Sequence, residues 1–74
     1  MKYELIRYEI VKETETDVNG NYSATIVVYL KHIDDFIPPF VKEIEVQSCN
    51  TETGYEVDLK RKKAVEDFLE QINE

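Results

Sequence analysis

The strongest constraint on the fold lies in residues 22–30, where apolar side chains occupy every second position and β-branched residues are dense. Alternation with a period of two in such residues is typical of a β-strand that buries one face. Ile6, Tyr8 and Ile10 alternate in the same way within residues 4–12. The first thirty residues therefore predict two strands joined by a turn.

The loop between these strands follows from the requirement that their apolar faces coincide. A loop of residues 18–20, closed by Asp17 and Asn21, pairs Ile10 with Val28 and puts the apolar residues of both strands on one face. A two-residue turn would bring opposite faces together. Three-residue hairpin loops end on a left-handed residue, so we predict a positive φ at Gly20.

Residues 32–40 form the next connection. This segment contains Pro38 and Pro39, which have no amide hydrogen to donate to a neighbouring strand. We expect Phe36 and Phe40 to fold back over the edge of the core. A third strand is predicted for residues 41–49, followed by a turn at residues 50–54.

A fourth strand is predicted from the alternation of Tyr55, Val57 and Leu59. A helix should begin at about residue 60 or 61, because the apolar residues beyond that point fall in one stripe at 100° per residue. These residues are Ala64, Val65, Phe68, Leu69 and Ile72. Leu59 lies nearly opposite the centre of this stripe, which assigns it to the strand. The predicted fold is α+β: a four-stranded antiparallel sheet with one C-terminal helix packed on one face (ββββα).

Length and composition limit the organisation and the class of protein. Seventy-four residues with 42% hydrophobic content predict a single compact domain over residues 1–74, of modest stability or stabilised by dimerisation. One cysteine and one histidine argue against a metal site. No spacing of residues suits a catalytic relay and two glycines cannot form a glycine-rich phosphate loop, so we predict no cofactor and no enzyme activity. We expect a cytoplasmic protein with no membrane contact. Its composition suits a small bacterial or phage-encoded accessory protein.

The acidic residues of the chain indicate a candidate site on the outer face of the predicted sheet. Sixteen acidic and nine basic residues give a net charge of −7, which repels nucleic acid and favours a basic protein partner. The predicted alternation places acids around an apolar and aromatic centre on that face. The candidate partner-binding residues are Glu9, Val11, Glu13, Glu15, Val27, Tyr29, Glu43 and Glu45.

That arrangement predicts a small acidic protein–protein interaction module, in its sharpest form an inhibitor or a mimic of nucleic acid. Ordinary solvation of an outer sheet face is the alternative interpretation of the same residues. Self-association through Val11, Val27 and Tyr29 is a third.

The basic run KRKK is the other candidate site. Lys60, Arg61, Lys62 and Lys63 hold four of the nine basic side chains. One interpretation is that they neutralise carboxylates, with Glu56 and Asp58 directly before them and Glu43 or Glu45 on the adjacent strand. The others are contact with an acidic protein, or weak and strongly salt-dependent binding of phosphate or nucleic acid. Aromatic residues for base stacking are missing from the run, which makes nucleic acid the less favoured partner.

Overall fold

The computed structural model describes residues 2–74, which form three antiparallel strands followed by one helix. The elements are β1 (Tyr3–Glu13), β2 (Asn21–His32), β3 (Phe40–Cys49) and α1 (Gly54–Ile72). The strands make one sheet in the order β1–β2–β3, and α1 packs across one face of it. The predicted α+β class is confirmed. The predicted fourth strand is wrong.

The core forms between the central strand and the helix. Ile26, Val28 and Leu30 of β2 point towards α1 and are fully buried. They pack with Val46 of β3 and Val65 of α1. Partly buried apolar residues surround this centre: Leu5, Phe40, Ile44, Ala64, Phe68, Leu69 and Ile72. The alternation in residues 22–30 therefore predicted the buried face of β2 correctly.

The helix begins six residues earlier than predicted, because Thr53 caps its N-terminus. The Thr53 hydroxyl accepts a hydrogen bond from the Glu56 amide at 3.1 Å, and the Glu56 carboxylate accepts one from the Thr53 amide at 3.4 Å. This reciprocal pair is a capping box, which satisfies amides that otherwise lack partners at a helix start. Thr53 and Glu56 have the spacing that marks this motif in a sequence, and the alternation of residues 55–59 concealed it.

The residues assigned to a fourth strand all lie in the first two turns of α1. Val57 is buried and occupies the same helical stripe as Arg61 and Val65, four and eight residues later. Leu59 is about half exposed. Its position opposite the apolar stripe is therefore correct, but it reflects the solvent side of a helix rather than strand parity.

The register between β1 and β2 also differs from the prediction. Two register shifts interrupt β1, one between Leu5 and Arg7 and one between Ile10 and Lys12. Each places an extra residue in β1 that has no partner on β2. As a result Ile10 pairs with Ile26 instead of Val28.

The predicted loop between β1 and β2 is confirmed. The Asp17 amide donates to the Asn21 carbonyl at 2.9 Å, and the Gly20 amide donates to the Asp17 carbonyl at 3.0 Å. Gly20 has φ of +82°, as predicted. A Cβ atom at this position would lie 2.5 Å from the Asn50 Oδ1 atom, so the side-chain space is closed as well.

The connection between β2 and β3 separates the two phenylalanines that were expected to cover the core. Phe40 packs against the core and makes an edge-to-face contact with Tyr3 at 5.0 Å between ring centroids. Phe36 is 97% exposed, so its predicted position is wrong. The Asp34 side chain and carbonyl accept hydrogen bonds from the amides of Phe36 and Ile37, at 3.0 Å each. These bonds form a tight turn that directs Phe36 outwards.

The helix start can be tested by replacing Thr53. We expect T53A to lower the free energy of unfolding by about 1 kcal/mol, because the Glu56 amide loses its acceptor. Chemical denaturation of T53A and T51A measures the difference, since Thr51 lies in the same loop but does not cap the helix. T51A should change stability by less than about 0.5 kcal/mol. Equal effects of the two substitutions would contradict a helix that starts at Gly54.

Candidate protein-binding surface

The sheet face turned away from α1, called the open face below, carries the residues predicted to bind a partner. Side chains alternate between the two faces along each strand, so pairing across strands aligns the members of each face in rows. Three such rows cross the open face: Arg7–Tyr29–Val41, Glu9–Val27–Glu43 and Lys12–Thr25–Glu45. The predicted residues Glu9, Val27, Tyr29, Glu43 and Glu45 therefore share one surface.

Tyr29 lies at the centre of a closed polar cluster. Its hydroxyl donates to the Glu9 carboxylate at 2.7 Å. The Arg7 guanidinium lies 3.9 Å from the centre of the Tyr29 ring and 3.0 Å from the Glu9 carboxylate. Arg7 thus covers one side of the ring through a cation–π contact. Tyr29 is therefore hydrogen-bonded to Glu9 and covered on one side by Arg7, and is not the bare aromatic centre predicted for this face.

The same contacts shift the acid–base properties of the cluster. The hydrogen bond from Tyr29 stabilises the ionised carboxylate and lowers the pKa of Glu9 from its usual value. The bond raises the pKa of Tyr29, because its proton is held by the carboxylate. Glu9 is therefore a charged group whose hydrogen-bonding capacity is partly used within the chain.

The exposed carboxylates concentrate on the β3 side of the open face. Glu43 and Glu45 are both exposed, two residues apart on β3. The Ser23 hydroxyl donates to Glu45 at 3.2 Å. On the β1 side of the face, Arg7 and Lys12 balance the acids. The open face is thus an acidic strip beside a mixed region, which corrects the acidic field predicted for the whole face.

Three of the predicted partner-binding residues do not join this surface as expected. Val11 is the extra residue at a register shift, with no partner on β2. Glu13 pairs with Ala24, whose side chain is buried. The Glu13 side chain therefore lies on the helix side of the sheet, where it contacts Arg61 of α1. Glu15 lies in the loop beyond β1. The bulge at Val11 is the physical reason, because one extra residue reverses the facing of those that follow it.

The side chains of the basic run point in three different directions from the helix. The Lys60 ammonium donates to the Glu52 carboxylate and to the Gln47 carbonyl, at 2.9 and 3.2 Å. Arg61 points at the sheet and pairs with Glu13 at 3.0 Å. Lys62 and Lys63 are exposed beside Leu59 in a shallow open groove of about 470 Å³. The run therefore begins about two turns into the helix and presents no continuous basic surface.

Two of these cations neutralise carboxylates, although not those that were predicted. Lys60 lowers the pKa of Glu52 by hydrogen bonding to its charged form. Arg61 is only 7% exposed, whereas the side chain of its partner Glu13 remains about half exposed. The expected partners Glu56 and Asp58 are on α1 and form no ion pair among residues 2–74. The start of α1 at Gly54 fixes the direction in which each of these side chains points, and the predicted start lay too late in the chain.

Comparison with known proteins yields no family: the chain matches no family model, no curated protein and no solved structure. Among residues 2–74, no helix is long and apolar enough to span a membrane. The same residues include no group of three or more metal-ligating side chains.

The ion pair between buried Arg61 and half-exposed Glu13 gives a test of the helix phase. E13Q should lower the free energy of unfolding by about 1–2 kcal/mol, because it leaves a buried guanidinium without its counter-charge. R61M keeps the packing of the stem and removes the charge, so it should stay within about 1 kcal/mol of the wild type. Urea denaturation at neutral pH measures both. A larger loss for R61M than for E13Q would contradict this account of the pair.

Proposed function

We propose that the protein is a non-enzymatic interaction module that binds a basic surface of another protein through its open face. The observation that supports this most directly is the acidic strip, Glu43 and Glu45, on a sheet face that α1 leaves uncovered. Carboxylates in such a position raise the rate of encounter with a basic partner and select against acidic ones. The net charge of −7 acts in the same direction at longer range.

Apolar contact area lies next to the strip. Val41 is about half exposed in the row beside Glu43, and Val27, although 8% exposed, forms the floor between Glu9 and Glu43. The buried core of a protein interface is more apolar than its polar rim, so such positions suit the centre of a contact. The partner is therefore expected to cover Val41 and to place cations against Glu43.

The more specific form of the proposal, an inhibitor that imitates nucleic acid, has weaker support. A mimic needs a series of carboxylates along one surface in place of phosphates. The register of β1 removes Glu13 from the open face, and Glu15 lies beyond the strand. Two adjacent carboxylates on β3 support a basic protein partner in general.

Phosphate or nucleic-acid binding by residues 60–63 is the alternative, and the geometry favours it less. Lys60 and Arg61 are paired with Glu52 and Glu13, which leaves Lys62 and Lys63 as the cations of the run that form no ion pair among residues 2–74. Binding by two lysines is weak at physiological salt. Their groove also contains Glu66 and Asp67, which repel an anion.

A structural homo-oligomer is the third candidate, and exposed apolar residues favour it. Tyr8 and Ile10 of β1 are partly exposed beside the core, and Phe36 is almost fully exposed. A second copy would bury such residues, and its binding would make thermal stability depend on protein concentration. The melting temperature over a range of concentrations distinguishes this function from a hetero-partner.

Affinity capture from a lysate of the native host tests the main proposal. E43Q/E45Q should lose a basic protein that the wild type retains, and wild-type capture should weaken with added salt. E66Q/E70Q is the matched control, because it removes the same number of charges from exposed positions on α1. It should retain the partner.

Equal loss in the two variants would mean that only net charge matters, and the open face would then not be the site. Loss in K62A/K63A alone would assign binding to the basic run instead. If all three variants capture the same protein as the wild type, the proposal is wrong.

A further inference from the structure

The backbone of β3 has one hydrogen-bonding side that the sheet does not use. In an antiparallel pair, alternate residues exchange both backbone bonds with the neighbouring strand, and the residues between them point away. The Asn50 amide donates to the Gly20 carbonyl at 2.8 Å, in the same register as the β2–β3 ladder. Even-numbered residues of β3 therefore bond to β2. The odd-numbered residues direct their amide and carbonyl groups to the outside.

Contacts at the end of β3 agree with this assignment. The Gln47 carbonyl accepts from Lys60 at 3.2 Å, and the Cys49 amide donates to Glu52 at 2.7 Å. Both groups belong to odd-numbered residues and both are capped by side chains. The backbone groups of Val41, Glu43 and Glu45 have no such cap within residues 2–74. These three residues are called the free edge below.

The two sides of the sheet differ in how they are protected. β1 carries two register shifts, which twist and interrupt an edge strand and discourage pairing with another chain. β3 pairs with β2 without a shift over its whole length. Pro38 and Pro39 end its edge on one side, and Lys60 with Glu52 closes the other. A regular window of about five residues is left open.

We propose that the free edge accepts an extended basic segment of the protein partner as a fourth strand of the sheet. This inference rests on the proposed function and specifies its binding mode. Backbone bonds to Val41, Glu43 and Glu45 would supply the pairing, and side chains at alternate positions would supply selectivity. Residues opposite Glu43 and Glu45 lie on the open face, where lysine or arginine complements the acidic strip.

The charges on β3 argue against a second copy as the added strand. A two-fold antiparallel pair centred on residue 42, 43 or 44 places like charges directly opposite each other. The opposed pairs would be Lys42 with Lys42, Glu43 with Glu43, or Glu43 with Glu45. Like charges in this position destabilise strand pairing. The free edge thus disfavours self-association and fits a segment with cations at alternate positions.

A short peptide serves as the probe. The capped sequence Lys-Ile-Lys-Glu-Val, aligned antiparallel, places lysine opposite Glu45 and Glu43, glutamate opposite Lys42 and valine opposite Val41. Titration into isotope-labelled protein should shift the amide signals of Val41, Glu43 and Glu45. It should also slow their exchange with solvent, because those amides become hydrogen-bonded.

The substitution E43P tests the backbone pairing of the free edge separately from the charge of Glu43. Proline removes the amide that would pair with the peptide, and proline is tolerated in edge strands where that amide faces solvent. E43P should fold and lose the peptide. E43Q is the matched control: it removes the charge, keeps the amide and should weaken binding by only about two- to fivefold.

A charge exchange covers the case in which E43P does not fold. E43K/E45K keeps every amide and should prefer the peptide Glu-Ile-Glu-Lys-Val over Lys-Ile-Lys-Glu-Val, which reverses the wild-type preference. Equal binding of the peptide by folded E43P and by E43Q would overturn the edge inference. So would peptide-induced shifts on the open face with no slowing of exchange at the free edge, or failure of the charge-exchanged variant to reverse the preference.

Affinity capture from the lysate distinguishes the proposed function from the proposed binding mode. If capture depends on Glu43 and Glu45 but E43P captures as well as E43Q, the partner binds the open face without adding a strand. In that outcome the proposed function stands and the binding mode is wrong. If capture does not depend on Glu43 and Glu45, the proposed function itself fails.

Discussion

The reciprocal hydrogen bonds between Thr53 and Glu56 determine which secondary structure the last third of the chain forms. They start α1 at Gly54, so residues 55–59 enter the helix and do not form a strand. A strand in that segment would pair with β3 and cover its outer edge. The helix instead places Val57, Arg61 and Val65 in one buried stripe. Val65 packs with Ile26, Val28 and Leu30 of β2, where burial of apolar area provides the main stabilisation. One local motif thus completes the core and leaves an edge of the sheet unpaired.

The remaining features follow from this division between covered and uncovered surface. α1 occupies one face of the sheet, so the acidic strip on β3 remains on the open face. Lys60 and Arg61 are turned inwards or towards the loop by the helical phase, and each neutralises a carboxylate. Two of the four positive charges of the run are therefore paired within the fold, while Glu43 and Glu45 form no ion pair among residues 2–74. This distribution supports a basic partner more than an anionic one.

Much of the fold was predictable, and the errors have identifiable causes. The buried face of β2, the loop at Gly20 and the α+β class follow from period-two alternation and turn chemistry. The helix start was also present in the sequence at Thr53 and Glu56, but three alternating apolar residues fit a strand and a helix equally well. The shifts in β1 leave no signature in the alternation. They depend on pairing with β2, so the facing of Glu13 could not be predicted.

The candidate site was predictable to the extent that it depends on β2 and β3. Val27, Tyr29, Glu43 and Glu45 share a face because those strands pair without a shift. The contact of Arg7 with the Tyr29 ring depends on the irregular strand, and the sequence did not indicate it.

Amide hydrogen exchange of the free protein, measured by NMR, tests the central claim most directly, namely that α1 replaces a fourth strand and leaves β3 at the edge. We expect slow exchange that alternates along β3, with Lys42, Ile44 and Val46 protected and Val41, Glu43 and Glu45 exchanging fast. Continuous protection in α1 should begin at about Val57, whose amide donates to the Thr53 carbonyl at 3.0 Å. Protection of Glu43 in the monomer, or alternating protection in residues 55–59, would contradict the account.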